Sequence, residues 1–283
     1  MKFLLQIIKD AEKRKVAIGH FNISDLTALK AIFEAAEELN VPVIIGTSQG
    51  EADFLDRQEA AALVKALREK NDFPIFLNAD HAHSFEEVKE AVEAGYDAVL
   101  FDAGKLSLDE NIRQTKKAVE LAKSINPDIL VEGELGYIGS SSRVMEKLPK
   151  GLSNLTSPED AARFAEETGV DLLAPSIGNV HGIIKGGNPK LDIKRIKDIR
   201  KVVGTPLVLH GGSGISDDDF KKAIEAGISV IHINTELRIA WRKGMEEGLK
   251  DNPEEIAPYK VLPEAVAEIK EVVYNRLKLF NRL

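Results

Sequence analysis

The chain has 283 residues, 43% hydrophobic and 30% charged, with 38 basic against 46 acidic side chains and a formal net charge of -8. That balance argues against nucleic acid as the main partner, because phosphate-backbone binding needs a basic surface, and any anionic ligand must be met by a local site. No apolar run is long enough for a membrane span, and the lack of cysteine excludes disulfides and thiolate ligands, leaves His, Asp and Glu to hold any transition metal, and points to a cytoplasmic protein.

The opening stretch MKFLLQIIKDAEKRKVAIG is interrupted by Gln6, Lys9 and Asp10 and lacks a small-residue cleavage site, so it reads as a first helix and not as a signal peptide. Apolar, β-rich runs then recur at residues 16–22, 41–48, 73–80, 98–103, 129–134, 172–177, 206–210 and 230–234. Between them apolar residues fall at three- and four-residue spacing. Two of these helical segments, SFEEVKEAVEAG and SDDDFKKAIEAG, open on a Ser with an acid three residues later, like capping boxes, and close on Gly95 and Gly227. Eight βα units with near-continuous hydrophobic strands imply a parallel sheet covered by helices, and eight is the number that closes a barrel. An open doubly wound sheet would carry a GxGxxG turn after its first strand, and none is present. The expectation is an α/β protein, one (β/α)8 TIM-barrel domain over residues 1–283. After Lys250 the period breaks at DNPEEIAPYKVLP, and an extra C-terminal helix is expected over about 263–280, within an extension of about 251–283 that serves packing or oligomer contact.

Strand ends carry the chemistry. His81 follows the third strand in NADHAH, His181 the sixth in IGNVHG and His210 the seventh in LVLHGGSG. One such histidine is more often a cap or a packed core residue. Three at equivalent strand ends emerge at one face, which is how a barrel assembles a metal site from residues far apart in sequence. Three histidines leave a coordination position open, so a divalent ion, Zn2+ by ligand type, can polarise a substrate carbonyl. Asp80 is placed for proton transfer with a substrate hydroxyl; the alternative role of helix cap is served equally by Ser84. A lone GGSG is usually a turn, but here Gly211, Gly212, Ser213 and Gly214 follow the seventh strand, and Asn234 and Thr235 end the eighth. Loops after those two strands commonly build a phosphate site from glycine-freed N–H groups and a helix N-terminus. The substrate is then a phosphorylated carbonyl compound.

The segments DHA with SFEEVKEAVEAGYDAVLFDAG, then LVEGELGYIG, VHGIIKGGNPKLD and PLVLHGGSGISDDDFKKAIEAG, resemble the class II, metal-dependent fructose-bisphosphate and tagatose-bisphosphate aldolase family from about residue 12 to 245. The resemblance implies Zn2+ held by His81, His181 and His210. It implies reversible cleavage of a ketose 1,6-bisphosphate, of fructose or tagatose type, into dihydroxyacetone phosphate and an aldehyde, glyceraldehyde 3-phosphate, through a zinc-stabilised enediolate. On this resemblance Asp80 handles the proton on the hydroxyl at the breaking bond, and Glu134 contacts the metal in an alternate position, with Glu132 on the same face. Asn22 and Ser48 match substrate contacts. Gly182, Lys185, Gly211, Ser213 and Thr235 match residues that hold the phosphate or an accompanying Na+ or K+. A homodimer or homotetramer is implied as well.

Three departures bear on the substrate. The loop after the fifth strand, GSSSRVMEKLPKG, carries Glu146 as its only acid where the family usually has an acidic pair that supplies a base. The eighth strand ends HINT, so His232 takes the place of an asparagine that touches the donor. FDAGKL puts Lys105 where a neutral or aromatic residue is usual. His20, in GHFN, reads either as support behind the site or as packing, and His83 as a solvent-facing or capping residue. Arg238 and Trp241 fall at helical spacing that suggests core or subunit contact. The functions in play are a Zn2+-dependent aldolase, a sugar-phosphate-binding barrel without aldol activity, and a metal-dependent sugar-phosphate isomerase or epimerase.

Overall fold

The computed structural model describes residues 3–139, 142–149, 155–251 and 253–283. Every predicted run forms a strand: β1 (Ile18–Asn22), β2 (Val43–Ser48), β3 (Ile75–Ala82), β4 (Ala98–Phe101) and β5 (Leu130–Leu135), then β7 (Leu172–Pro175), β9 (Leu207–Leu209) and β10 (Ile228–Ile233). Between these fall two-residue strands without a sequence signal of their own, β6 (Val144–Met145) and β8 (Ile183–Ile184), which pair with each other outside the barrel. The other eight close in the order β1-β10-β9-β7-β5-β4-β3-β2, all parallel. The (β/α)8 expectation is met. Strands buried on both faces must be apolar almost throughout, which is why they read as short hydrophobic runs.

The helices are α1 (Leu4–Lys13), α2 (Leu26–Leu39), α3 (Gln49–Leu55), α4 (Arg57–Asn71), α5 (Phe85–Glu93), α6 (Leu108–Ile125), α7 (Pro158–Thr168), α8 (Ile193–Val202), α9 (Asp217–Ala226), α10 (Thr235–Asp251) and α11 (Pro258–Asn281). Ser84 and Ser216 cap α5 and α9 by accepting the Glu87 and Asp219 N–H groups at 3.2 Å. The reciprocal half of the expected box is shifted in α5, where Glu87 takes the N–H of His83 instead.

Two helices lie outside the βα repeat. The amphipathic α1 turns Leu4, Ile8 and Ala11 onto Ile18, Ile44, Phe76, Leu130, Val208 and Val230, sealing the N-terminal end of the barrel with a dry cluster. The long α11 begins at Pro258, ahead of the predicted 263, because a proline in the first turn starts a helix whereas Pro263 within it resembled a boundary. Its Val261, Ala265, Ile269, Val273, Leu277 and Phe280 are buried. It packs between α10 and α2 and against β1, and the Ala17 N–H donates to the Phe280 carbonyl at 3.0 Å. No helix among the described residues is long and apolar enough to cross a membrane.

Candidate active site

At the opposite end of the barrel the strands finish in polar residues around a cavity of about 250 Å³. The sequence-predicted residues Asn22, Ser48, Asp80, His81, His181 and Gly182 line it, as do His210, Gly211, Gly212, Ser213, His232, Asn234 and Thr235. A register shift between β3 and β4 after Ala79 lets the chain bulge, and His81 takes a left-handed backbone with φ +64°. Such bulges re-aim side chains at strand ends, and here Asp80 and His81 both face the cavity.

His81, Glu134, His181 and His210 each offer a ligand atom, all within 4.8 Å of one another. The remaining ring nitrogens are held from behind. His81 Nδ1 lies 2.9 Å from Asp102 Oδ2, His181 Nδ1 2.7 Å from the Gly139 carbonyl, and His210 Nε2 2.7 Å from Glu132 Oε1. Carboxylates and carbonyls behind ligand histidines fix ring orientation and tautomer in metal centres. His181 Nε2 and His210 Nδ1 face each other at 3.4 Å, and Glu134 Oε2 is buried without a hydrogen-bond partner. These residues fit a divalent cation. Two further groupings, His20 with Asp80 and His232, and Glu132 with His210 and His232, are as compact. His20 and His232 stack 3.5 Å apart at 3°, and lone pairs lying in two parallel ring planes do not converge on one ion.

The electrostatics agree. Burial pushes His181 down to about 3, so its ring is neutral and a lone pair is available. Burial also works against a charge on His81, but Asp80, the hydrogen bond with Asp102, and Glu134 outweigh it and raise the pKa to about 10. Burial of Glu134, with Asp102 nearby, raises its pKa well above the ordinary range. The pocket thus concentrates acidic groups around one positive charge, a role a divalent cation takes over when the ligands deprotonate.

Asp80 is hydrogen-bonded on one oxygen and has an imidazole close to the other. Asn22 Nδ2 donates to Oδ2 at 2.9 Å, while His232 Nδ1 stands 3.3 Å from Oδ1. Burial opposes its charge, but His81 and His232 hold its pKa well below the usual carboxylate range. His232, read from sequence as a donor contact, therefore also lies against Asp80, and its ring packs 4.0 Å from that of His210. His20 stands behind it, fully buried, with Nε2 3.1 Å from Asn78 Nδ2; burial lowers its pKa to about 4. Gly46 on β2 makes room, since a Cβ there would meet the His20 ring at 2.2 Å. Of the two readings left open for His20, support behind the site is the one observed.

On the far side Gly211 turns with φ +62°, and a Cβ would meet the Val180 carbonyl oxygen at 2.3 Å, so only glycine lets this loop close down. Asn188 Nδ2 ties the two glycine loops by donating to the Gly182 and Ser213 carbonyls at 3.0 and 2.9 Å. Thr235 is the first residue of α10, whose N-terminus opens onto the cavity. Lys185 is not in this group. It is exposed on the outer loop and ion-paired with Glu146, because the β6–β8 pairing ties the two loops together away from the barrel mouth. Lys105 likewise lies over the Tyr137 ring, 5.8 Å from its centroid, and does not line the cavity.

Sequence reasoning passed over three residues. Asp102 supports His81, although FDAGKL drew attention only to its lysine. Glu51 is 6% exposed and receives Ser48 N–H, Ser48 Oγ and Asn22 Nδ2, each at 2.8 Å. Arg238, read as a helix contact, lines the cavity and donates to Glu51 Oε1 at 2.6 Å and to the Ser142 carbonyl at 3.1 Å. An acid three residues after Ser48 was the available signal for Glu51.

A barrel with a histidine-rich centre at its C-terminal mouth has the form of a metal-dependent enzyme, and comparison gives the family. The family model described as fructose-bisphosphate aldolase class-II matches residues 3–282. The chain belongs to the class II fructose-bisphosphate aldolase family. A probable fructose-bisphosphate aldolase of Bacillus subtilis (strain 168) is 38% identical over 281 residues, 98% of this chain and 96% of that protein. The fructose-bisphosphate aldolase of Staphylococcus aureus (strain Mu50 / ATCC 700699) is 37% identical over 279 residues, with the same coverage. Among solved structures the YdjI aldolase of Escherichia coli K12 matches with a TM-score of 0.82 at 33% identity, over 99% of this chain and 96% of that one. The fructose-bisphosphate aldolase of Campylobacter jejuni gives 0.83 at 24% identity over 98% and 94%, a likeness of fold.

Proposed function

We propose that the chain is a Zn2+-dependent aldolase that reversibly cleaves a phosphorylated ketose into dihydroxyacetone phosphate and an aldehyde. Ketose bisphosphates of fructose or tagatose type are the first substrates to test, fructose bisphosphate being named in its relatives. The observation that carries the reading is the grouping of His81, Glu134, His181 and His210 within 4.8 Å beside Asp80, which Asn22 holds and His232 approaches. His81, His181 and His210 would hold the ion, with Glu134 as an alternate ligand. When bound, a divalent cation supplies Lewis acidity, stabilising the negative charge that develops on the donor half as the carbon–carbon bond breaks.

The chain's own residues hold the substrate and move the hydroxyl proton. Asp80 accepts the proton of the hydroxyl at the breaking bond and returns it in the synthetic direction, with Asn22 fixing the oxygen that remains. Gly182, Gly211, Gly212, Ser213, Asn234 and Thr235 hold the phosphate, with room for a Na+ or K+ beside it. His232 stands with Nδ1 3.3 Å from Asp80 Oδ1 and presents Nε2, buried without a partner, to the cavity. Glu146 is 75% exposed and engaged by Lys185, so it supplies no base inside the barrel in this arrangement. A cytoplasmic location and a homodimer or homotetramer complete the reading; light scattering of the purified protein checks the oligomer.

The deciding experiment is release of dihydroxyacetone phosphate from fructose 1,6-bisphosphate, with and without chelator and with Zn2+ restored. Cleavage that disappears with chelator and returns with metal upholds the aldolase. Failure of a metal-loaded sample on ketose phosphates of either type overturns it in favour of a sugar-phosphate-binding barrel or an isomerase.

A further inference from the structure

The wall of the cavity beyond Asp80 has its hydrogen-bond donors and its cation already engaged, and a buried acceptor left free. Asn22, Ser48 and Arg238 line it, at the ends of β1 and β2 and in the first turn of α10, with Glu51 of α3 buried behind them and bonded to all three. Glu51, 6% exposed, gathers the donors available there. Ser48 N–H, Ser48 Oγ and Asn22 Nδ2 bond one oxygen at 2.8 Å; Arg238 Nη2 and Asn234 Nδ2 bond the other at 2.6 and 3.2 Å. Arg238 is the one Lys or Arg side chain lining the cavity among the described residues, and its charge is already matched. Asn22 Oδ1 is buried without a hydrogen-bond partner. An orphan acceptor beside a carboxylate suits a hydroxyl, which brings a proton, and opposes a phosphate dianion, which brings none.

The direction of this wall is set by Asp80. If the phosphate of the donor half sits in the glycine loops and Asp80 handles the hydroxyl across the breaking bond, the aldehyde half runs past Asn22 toward Ser48, Glu51 and Arg238. We propose that Glu51 closes the aldehyde end to a second phosphate, so that the preferred ketose carries phosphate at the donor end only and releases an uncharged, hydroxylated aldehyde. This rests on the aldolase reading and narrows it.

The test compares kcat/KM of the Zn2+-loaded full chain for fructose 1-phosphate and fructose 1,6-bisphosphate, with Glu51→Gln and Glu51→Ser alongside and melting curves as a check on folding. The wild type should favour the monophosphate by roughly tenfold or more, since a phosphate at that wall would lose hydration with no free cation or donor among the described residues to replace it. Both variants should move the ratio toward the bisphosphate, Glu51→Ser further because it also frees space. A wild type that prefers the bisphosphate overturns the proposal. So does a variant that lowers both rates equally, the signature of a purely structural carboxylate. If neither sugar is cleaved, the aldolase reading fails, and calorimetric binding of the same two sugars still decides the wall. Tighter binding of the monophosphate, reversed in Glu51→Ser, supports it; tighter binding of the bisphosphate to the wild type overturns it.

Discussion

The two ends of the barrel are made from the same strands and solve opposite problems. At the N-terminal end Ile18, Ile44, Phe76, Leu130 and Val208 meet α1 in a cluster without a polar side chain. A few residues further along, β1, β2, β3, β5, β9 and β10 finish in or near Asn22, Ser48, Asp80, Glu134, His210 and His232. All seven buried side-chain N and O atoms left without a hydrogen bond, among the described residues, belong to His20, Asn22, Asn78, Asp80, Glu134 and His232 at that second end. Unpaired buried polar atoms cost free energy, so one end stores instability that the other offsets. The division teaches which substitutions should cost stability and which should cost chemistry.

His210→Ala should have the largest effect, removing bound metal and cleavage together. Metal analysis of the purified variant checks it, and full metal content would refute the ligand assignment. Its melting temperature should fall, because the buried Glu132 Oε1 loses its partner at 2.7 Å and the ion no longer stabilises the fold. Asp80→Ala should retain the metal and lower kcat by a factor on the order of 10² to 10⁴, the usual contribution of an acid–base group; a smaller loss would leave Asp80 only a structural part. At the dry end, Ile8→Ala should cost about 2–5 kcal/mol in denaturant unfolding while leaving metal affinity intact. A change in metal affinity there would mean that the two ends are coupled. Asp102→Ala should weaken Zn2+ about 10- to 100-fold in chelator competition, as loss of support behind a ligand histidine does.

The barrel was legible because strands buried on both faces leave hydrophobic runs, and because serines and glycines mark helix ends. The ligand histidines were legible because strand ends of a closed sheet share one face. Asp102, Glu51 and Arg238 were not, and for a common reason. Each acts by touching a residue that is distant in sequence, and each sits where its type is ordinary: an acid after a strand, an acid in a helix first turn, a basic residue on a helix. Lys185 erred in the other direction. Its position matched the family, but the β6–β8 pairing, two residues to a strand, gives no periodicity to read and carries the lysine outward.

Because α11 lies against β1 and is bonded through Phe280 to Ala17 just before it, the strand β1 gains its outer cover from a helix made long after it. Contacts between opposite ends of a sequence are slow to form. A nascent chain of this protein therefore carries an uncovered, apolar strand until α11 has been made, and that interval is when association with other unfinished chains, or capture by a chaperone, competes with closure of the ring.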